Sequence, residues 1–284
     1  MLKLPPAPRS IQKGVPLTSV LDVEAVSCLA SNIAEVYPAF DHQRFVNMAL
    51  AELAPLGIMD RGRAIAAALR ACLPTPYSRA IEILLASLTP PMSRTDELGL
   101  AVFFYLPHVF FVAQYGIDPA HNAGEDPFPV SMQAQYELTK RFSAEFSIRH
   151  FLLRDTERTL SYLNQWVFDP DPHVRRLCSE GTRPRLPWAM RLPNLIQDPT
   201  PVLPILEALK DDPDRYVVRS VANHLGDIAK DHLALVLATG WRWLDEGASN
   251  ETRWLIRHAV RHPAKKGVPE ALQLRAAAKA VKML

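Results

Sequence analysis

Five arginines gather around one carboxylate between residues 175 and 191: Arg175, Arg176, Arg183, Arg185 and Arg191 around Glu180. The run closes on Pro184-Arg-Leu-Pro-Trp188, whereas an ordinary solvated helix would alternate its charges. Guanidinium groups at this density suit phosphate oxygens and give salt-sensitive affinity. Together the residues read as a DNA-backbone surface with an acid inside it. About forty residues on, Ser220-Val-Ala-Asn-His-Leu-Gly-Asp227 brings a second acid at the end of an apolar-patterned segment.

The elements that must hold these groups read as helices. Apolar periodicity predicts helices over 18–36, 41–55, 60–73, 77–88, 95–115, 130–153, 157–167, 173–182, 201–210, 215–230, 232–245 and 251–262, with strand signals almost absent. Of the 25 prolines, most cluster between these segments, as in Asp169-Pro-Asp-Pro172 and Asp212-Pro213, where they stop one helix and precede the next. The apolar stretch Leu98 to Ala113 is short for a membrane span and holds Pro107 and His108 in its middle, so it reads as a buried, kinked core helix.

A repeat emerges in the second half. Asp169-Pro-Asp-Pro-His-Val-Arg-Arg176 aligns with Asp212-Pro-Asp-Arg-Tyr-Val-Val-Arg219, and Leu255-Ile-Arg257 repeats the end of the pattern. The spacing matches HEAT-like helix pairs, in which a turn leads into an inner helix. The expected fold is therefore an all-α HEAT-like repeat α-solenoid with a concave DNA-binding face. One domain over 1–284 is expected, with N-terminal helices over about 18–127. Arg176, Arg219 and Arg257 fall at the repeat-equivalent position and are expected to bridge adjacent units. Arg175, Arg183, Arg185 and Arg191 break that pattern and are the better phosphate candidates, joined by Lys265 and Lys266 in a turn rich in free donors.

Three segments carry a family resemblance: Phe142-Ser-Ala-Glu-Phe-Ser-Ile-Arg149, the run from His173 to Trp188, and Tyr216 to Lys230. They resemble the AlkC branch of the AlkC/AlkD alkylpurine DNA glycosylases, over about residues 128–272. The resemblance implies a HEAT-like fold cradling duplex DNA and hydrolysis of the N-glycosidic bond of cationic alkylated bases such as 3-methyladenine, leaving an abasic site. It also implies, motif by motif, that Glu145, Glu180, Trp188 and Asp227 form the active site. Two departures stand out: Gly226 precedes Asp227 where the family motif suggests asparagine, and Pro263 falls where a longer helix would be natural. Some members carry an immunoglobulin-like domain after the solenoid, and none is expected here.

The chemistry is coherent with that set. Methylation at N3 leaves the purine positively charged and ready to depart, so the enzyme's task lies on the sugar. C1′ gains oxocarbenium character as the bond breaks, and nearby carboxylates stabilise that charge and orient a water. An indole ring can face the cationic base or the deoxyribose. Each residue also has a plainer explanation. Glu145 precedes Arg149 by four residues and could simply pair with it. Glu180 could neutralise its arginines, Asp227 could be a surface charge, and Trp188 could plug a core. A non-catalytic HEAT-like adaptor binding DNA or protein is the alternative from another class.

Other chemistries find little support. His258 and His262 lack a third ligand in pattern, so neither a metal nor another cofactor is expected. No phosphate-cradling or dinucleotide-binding loop occurs among the 11 glycines. The matched motifs contain only Lys230, beside Asp231, so a strand-cleaving lysine nucleophile is not expected. Three scattered cysteines imply no disulfide framework and a reducing compartment. The net charge of +2 hides an asymmetry, because residues 1–140 hold 10 basic against 13 acidic side chains and the remainder holds 22 against 17. The polyanion-binding face is therefore expected in the second half. A cytoplasmic monomer with duplex DNA as its partner, and no membrane attachment, is the expectation.

Overall fold

The computed structural model describes residues 2–94 and 99–279, and among them every regular element is a helix. The chain divides into two compact units, 1–154 and 155–284, rather than the single domain expected.

The first unit contains α1 (Val23–Val36), α2 (His42–Leu50), α3 (Ile58–Cys72), α4 (Tyr77–Ala86), α5 (Leu106–Tyr115), α6 (Phe128–Thr139) and α7 (Ile148–Arg154). Asp22 caps α1 by accepting the backbone N–H groups of Glu24 and Ala25, which ends the preceding 3-10 turn and starts the helix. The segment Leu17–Val36 is long and apolar enough to cross a membrane by composition. Asp22 interrupts it, however, and Ala25, Val26, Leu29, Ala30 and Ile33 face the core. α3 and α5 approach closely because Gly62 has no side chain: a Cβ there would lie 2.8 Å from Leu106 Cγ. The expected kinked helix is instead a 3-10 segment, Gly99–Tyr105, followed by α5. Pro107 sits in the first turn of α5, where its missing N–H costs nothing. The first residues expected in that helix, 95–98, lie outside the described residues. Leu106 through Ala113 are all buried, His108 included, and burial pushes the His108 imidazole pKa down to about 3.

The helix expected over 130–153 is also two helices, α6 and α7, with turns between them. Side chains there compete for the backbone: Arg141 Nη1 donates to the Glu137 carbonyl at 2.8 Å, and Ser147 Oγ donates to the Ala144 carbonyl at 3.1 Å.

The second unit contains α8 (Thr156–Trp166), α9 (Pro172–Gly181), α10 (Pro193–Gln197), α11 (Leu203–Leu209), α12 (Arg215–Ile228), α13 (Leu233–Asp245), α14 (Asn250–Ala259), α15 (Arg261–Lys265) and α16 (Pro269–Ala277). α12 packs between α9 and α14, burying Val217, Val218, Val221, Ala222, Leu225 and Ile228. Each of the valine, leucine and isoleucine side chains contributes about 1.5–3 kcal/mol on burial. The repeat read from sequence is built atom for atom at its turns. Asp169 accepts the N–H of Asp171, which in turn caps α9 through His173 N–H, each at 2.8 Å. Asp212 and Asp214 do the same for Tyr216 and α12 at the same distances. The protein is an all-α, HEAT-like helical repeat.

Gly226 lies within α12, and a Cβ there would meet only the Ala259 carbonyl oxygen at 3.5 Å and Arg261 Nη1 at 3.9 Å, ordinary contacts. Gly226→Ala therefore raises stability by about 0.5–1 kcal/mol, because glycine loses the most freedom on joining a helix. Urea unfolding checks this: the midpoint rises with an unchanged slope.

Candidate active site

Glu180 stands in the last turn of α9 and Asp227 in the last turn of α12, so equivalent helices of adjacent repeats deliver the two acids. One guanidinium joins them. Arg183 donates from Nη1 to Glu180 Oε1 at 2.6 Å and from Nε to Asp227 Oδ2 at 2.8 Å. All three side chains are buried: Glu180 is 6% exposed, Asp227 4% and Arg183 8%. The remaining carboxylate oxygens are also occupied. Ser220 Oγ donates to Glu180 Oε2 at 2.6 Å and Lys230 Nζ donates to Asp227 Oδ1 at 2.8 Å, while Arg176 lies 3.4 Å from Glu180 Oε1. Burial pushes the Glu180 carboxyl pKa up, but Arg176, Arg183 and the Ser220 hydroxyl outweigh it and hold the group below the usual carboxylate range. Glu180 is ionised throughout the physiological range. His224, one turn before Asp227 on α12, is fully buried and its pKa falls to about 3, chiefly by desolvation with Arg183 adding to it, so it stays neutral beside the acids.

Trp188 does not plug the core. It is 64% exposed and its φ of 63° lies in the left-handed region, where a bulky side chain is strained by about 1–3 kcal/mol. The loop that carries it leaves Arg183 directly and is pinned by Leu192 N–H donating to the Pro184 carbonyl at 3.1 Å, with Leu186 and Leu192 buried as anchors. The strained backbone holds an indole exposed to solvent on the loop that follows Arg183, the residue that joins the two buried acids. Glu145 belongs to the first unit. It lies in the turn before α7 rather than on a helix with Arg149, and its Oε2 accepts a 2.7 Å hydrogen bond from Ser143 Oγ.

The arginines divide otherwise than their spacing suggests. Arg175 forms a two-pronged pair with Asp212 of the next repeat, Nε to Oδ2 at 2.6 Å and Nη2 to Oδ1 at 3.0 Å. Arg185 does the same with Asp231 at 2.9 Å on both prongs. Arg175, Arg183 and Arg185, expected at phosphates, thus link one repeat to the next. Arg176, expected to bridge repeats, does so through the Tyr216 ring of the next repeat, 5.0 Å from its guanidinium, and also pairs with Glu180 of its own helix. Arg219 is exposed, and Arg257 donates to the Ala278 carbonyl. The spacing argument missed this because a bridging arginine is recognised by the aspartate it reaches, 37 to 46 residues away. Arg191, Lys265 and Lys266 are exposed, with Gly267 closing the lysine turn at a φ of 80°. Among the described residues no group of acidic, histidine or cysteine side chains is arranged to hold a metal.

Paired carboxylates from adjacent helical repeats, joined by one buried arginine, define a helical-repeat protein with an acid-centred cluster. No protein-family model matches the chain. It is 37% identical over 259 residues to the uncharacterized protein YhaZ of Bacillus subtilis (strain 168), a match spanning 91% of this chain and 67% of YhaZ. It superposes with a TM-score of 0.80 on Pseudomonas fluorescens alkylpurine DNA glycosylase AlkC bound to DNA containing an abasic site analog. There the identity is 39%, and the match spans 94% of this chain and 70% of that one. The chain belongs to the AlkC family of alkylpurine DNA glycosylases.

Proposed function

We propose that the chain is a monofunctional DNA glycosylase of the 3-methyladenine type, hydrolysing the N-glycosidic bond of cationic alkylated bases in duplex DNA and leaving an abasic site. The observation that carries this reading is the pair of buried acids, Glu180 and Asp227, locked by Arg183, with the strained and exposed Trp188 on the loop that leaves Arg183. A cationic base is already a good leaving group, so the site needs no strong general acid. It needs negative charge and an oriented water at C1′. Acids fixed in advance by hydrogen bonds cost no reorganisation when the oxocarbenium charge develops. Arg183 is a positioning residue that holds both carboxylates in place. Trp188 presents its ring to the base or the deoxyribose. Glu145, held by Ser143 in the turn before α7, is proposed as a further catalytic acid. Exposed Arg191, Lys265 and Lys266 take phosphates on a concave face, and the protein acts as a cytoplasmic monomer.

The test is base release. Incubation with methylated duplex DNA and a chelator liberates free 3-methyladenine, and the strand remains intact until alkali is added. Release no faster than in buffer removes the enzymatic reading and leaves the adaptor; strand breakage before alkali removes the monofunctional one.

Binding separates the two kinds of basic residue. Replacing Arg191 or Lys266 with alanine weakens binding to damaged and undamaged duplex alike and flattens the dependence of log K on log salt by roughly one unit per lost phosphate contact. Arg175→Ala leaves that slope unchanged, because its charge is already spent on Asp212. Fluorescence anisotropy at several salt concentrations provides the measurement.

A further inference from the structure

The last helices carry a second concentration of guanidinium groups that is built differently from the acid site. At Glu180 and Asp227, and at the turns between repeats, arginines meet carboxylates. Around α14 and α16, Arg215 pairs with Glu251, but three other arginines are hydrogen-bonded to no carboxylate. Arg257 donates to the Ala278 carbonyl, and Arg261 donates to the His258 carbonyl at 2.7 Å and to Asn223 Oδ1 at 3.2 Å. Arg275 is exposed and has no hydrogen-bond or ion-pair partner among the described residues. These three line an open cleft of about 170 Å³ with Trp254 and His258, and a neighbouring space of about 460 Å³ shares Arg257 and Arg275 with it and adds Lys279.

The charges that act on Arg257 are all of its own sign: Arg215, Arg275 and Arg253 add to partial burial in lowering its pKa. His258 is in the same position. Burial, then Arg261, Arg219, Arg215 and His262, depress its pKa to about 4. Like charges collected in a half-buried cleft are unfavourable until an anion joins them, and planar guanidinium groups match phosphate oxygens in geometry. The ring of Trp254 is not offered to a nucleobase, since His258 stacks on it at 4.8 Å and the Arg215 guanidinium sits 3.3 Å from its centroid. The cleft therefore fits a phosphate group and not a base.

We propose that the cleft formed by Arg257, Arg261, Arg275, His258 and Trp254 is a binding site for a backbone phosphate of the DNA, separate from the Glu180 and Asp227 site. The proposal rests on the DNA-glycosylase reading above. Arg275→Gln, at an exposed position that does not threaten folding, and Arg257→Gln each weaken binding to undamaged duplex by roughly three- to tenfold and flatten the salt dependence by about one unit. In the wild type, duplex DNA also shifts the His258 imidazole resonances, and Arg275→Gln reduces that response. Wild-type binding and excision, with both variants indistinguishable from wild type in affinity and slope, overturn the cleft and leave the function standing. A His258 response to inorganic phosphate, with DNA affinity untouched by Arg275→Gln, marks a free-anion site and also overturns the proposal. A wild-type chain that neither binds duplex nor releases base overturns the functional reading, and the cleft with it.

Discussion

Glu180→Gln and Asp227→Asn each slow release of alkylated base by about 10- to 1000-fold, equivalent to about 1.4–4 kcal/mol of transition-state stabilisation. Each substitution keeps the shape of the side chain and removes a charge that Arg183 holds in place. Affinity for undamaged duplex stays the same or rises, because deleting a negative charge near phosphates cannot weaken binding electrostatically. Single-turnover release, with binding measured on the same preparations, separates the two effects. Because Glu180 is held below the usual carboxylate range and His224 titrates near 3, the wild-type rate shows no inflection from these groups between pH 5 and 8. Unchanged excision in both variants assigns the acids to the ion-pair network alone and removes the chemical role proposed for them.

Arg183→Ala is expected to lower global stability by about 3–5 kcal/mol, the largest stability effect of any single change at the site. The substitution leaves two buried carboxylates facing each other without their shared cation, and an uncompensated buried charge costs far more than the intact pair contributes. The sign follows from linkage. Glu180 has a depressed folded pKa, so its stabilising contribution is present above the unfolded value and is lost as pH falls through the folded one. Removing Arg183 takes away part of what depresses it, which makes the variant most destabilised at neutral pH and less so in acid. Arg183→Lys preserves a charge but offers no two-pronged geometry, and recovers only part of the loss. Urea unfolding at pH 7 and pH 4 measures both features. A loss below about 1 kcal/mol at pH 7 shows that the triad is not a buried structural unit.

The sequence alone determined the helical class and the repeat, each for a local reason. Apolar periodicity and Asp-Pro turns depend on residues within one helix or one turn, and the offset between the two Asp-Pro-Asp motifs reappears in the caps of α9 and α12. The three motifs carried the family because long runs such as His173 to Trp188 are specific. Local signals failed where long-range contacts decide. The helix expected over 130–153 breaks because Arg141 and Ser147 turn inward onto backbone carbonyls, and no periodicity reports that. The two compact units were likewise not visible in a continuous string of helices.

The tertiary structure decided the roles of the charges. In sequence, Arg175, Arg183 and Arg185 look like a free basic stripe, since their partners Asp212, Asp227 and Asp231 lie in the next repeat. Stacking the repeats converts that stripe into repeat-to-repeat ion pairs and gathers Arg257, which spacing had treated as a bridge, with Arg261 and Arg275, which spacing had not singled out. The tryptophan followed the same rule: its type was legible, while its exposure and left-handed backbone were not. An amino-acid sequence fixes which groups are present and how neighbours along the chain are spaced. Whether a charge meets an opposite charge, a like charge or water depends on distances between residues about forty positions apart, and those exist only once the helices have packed.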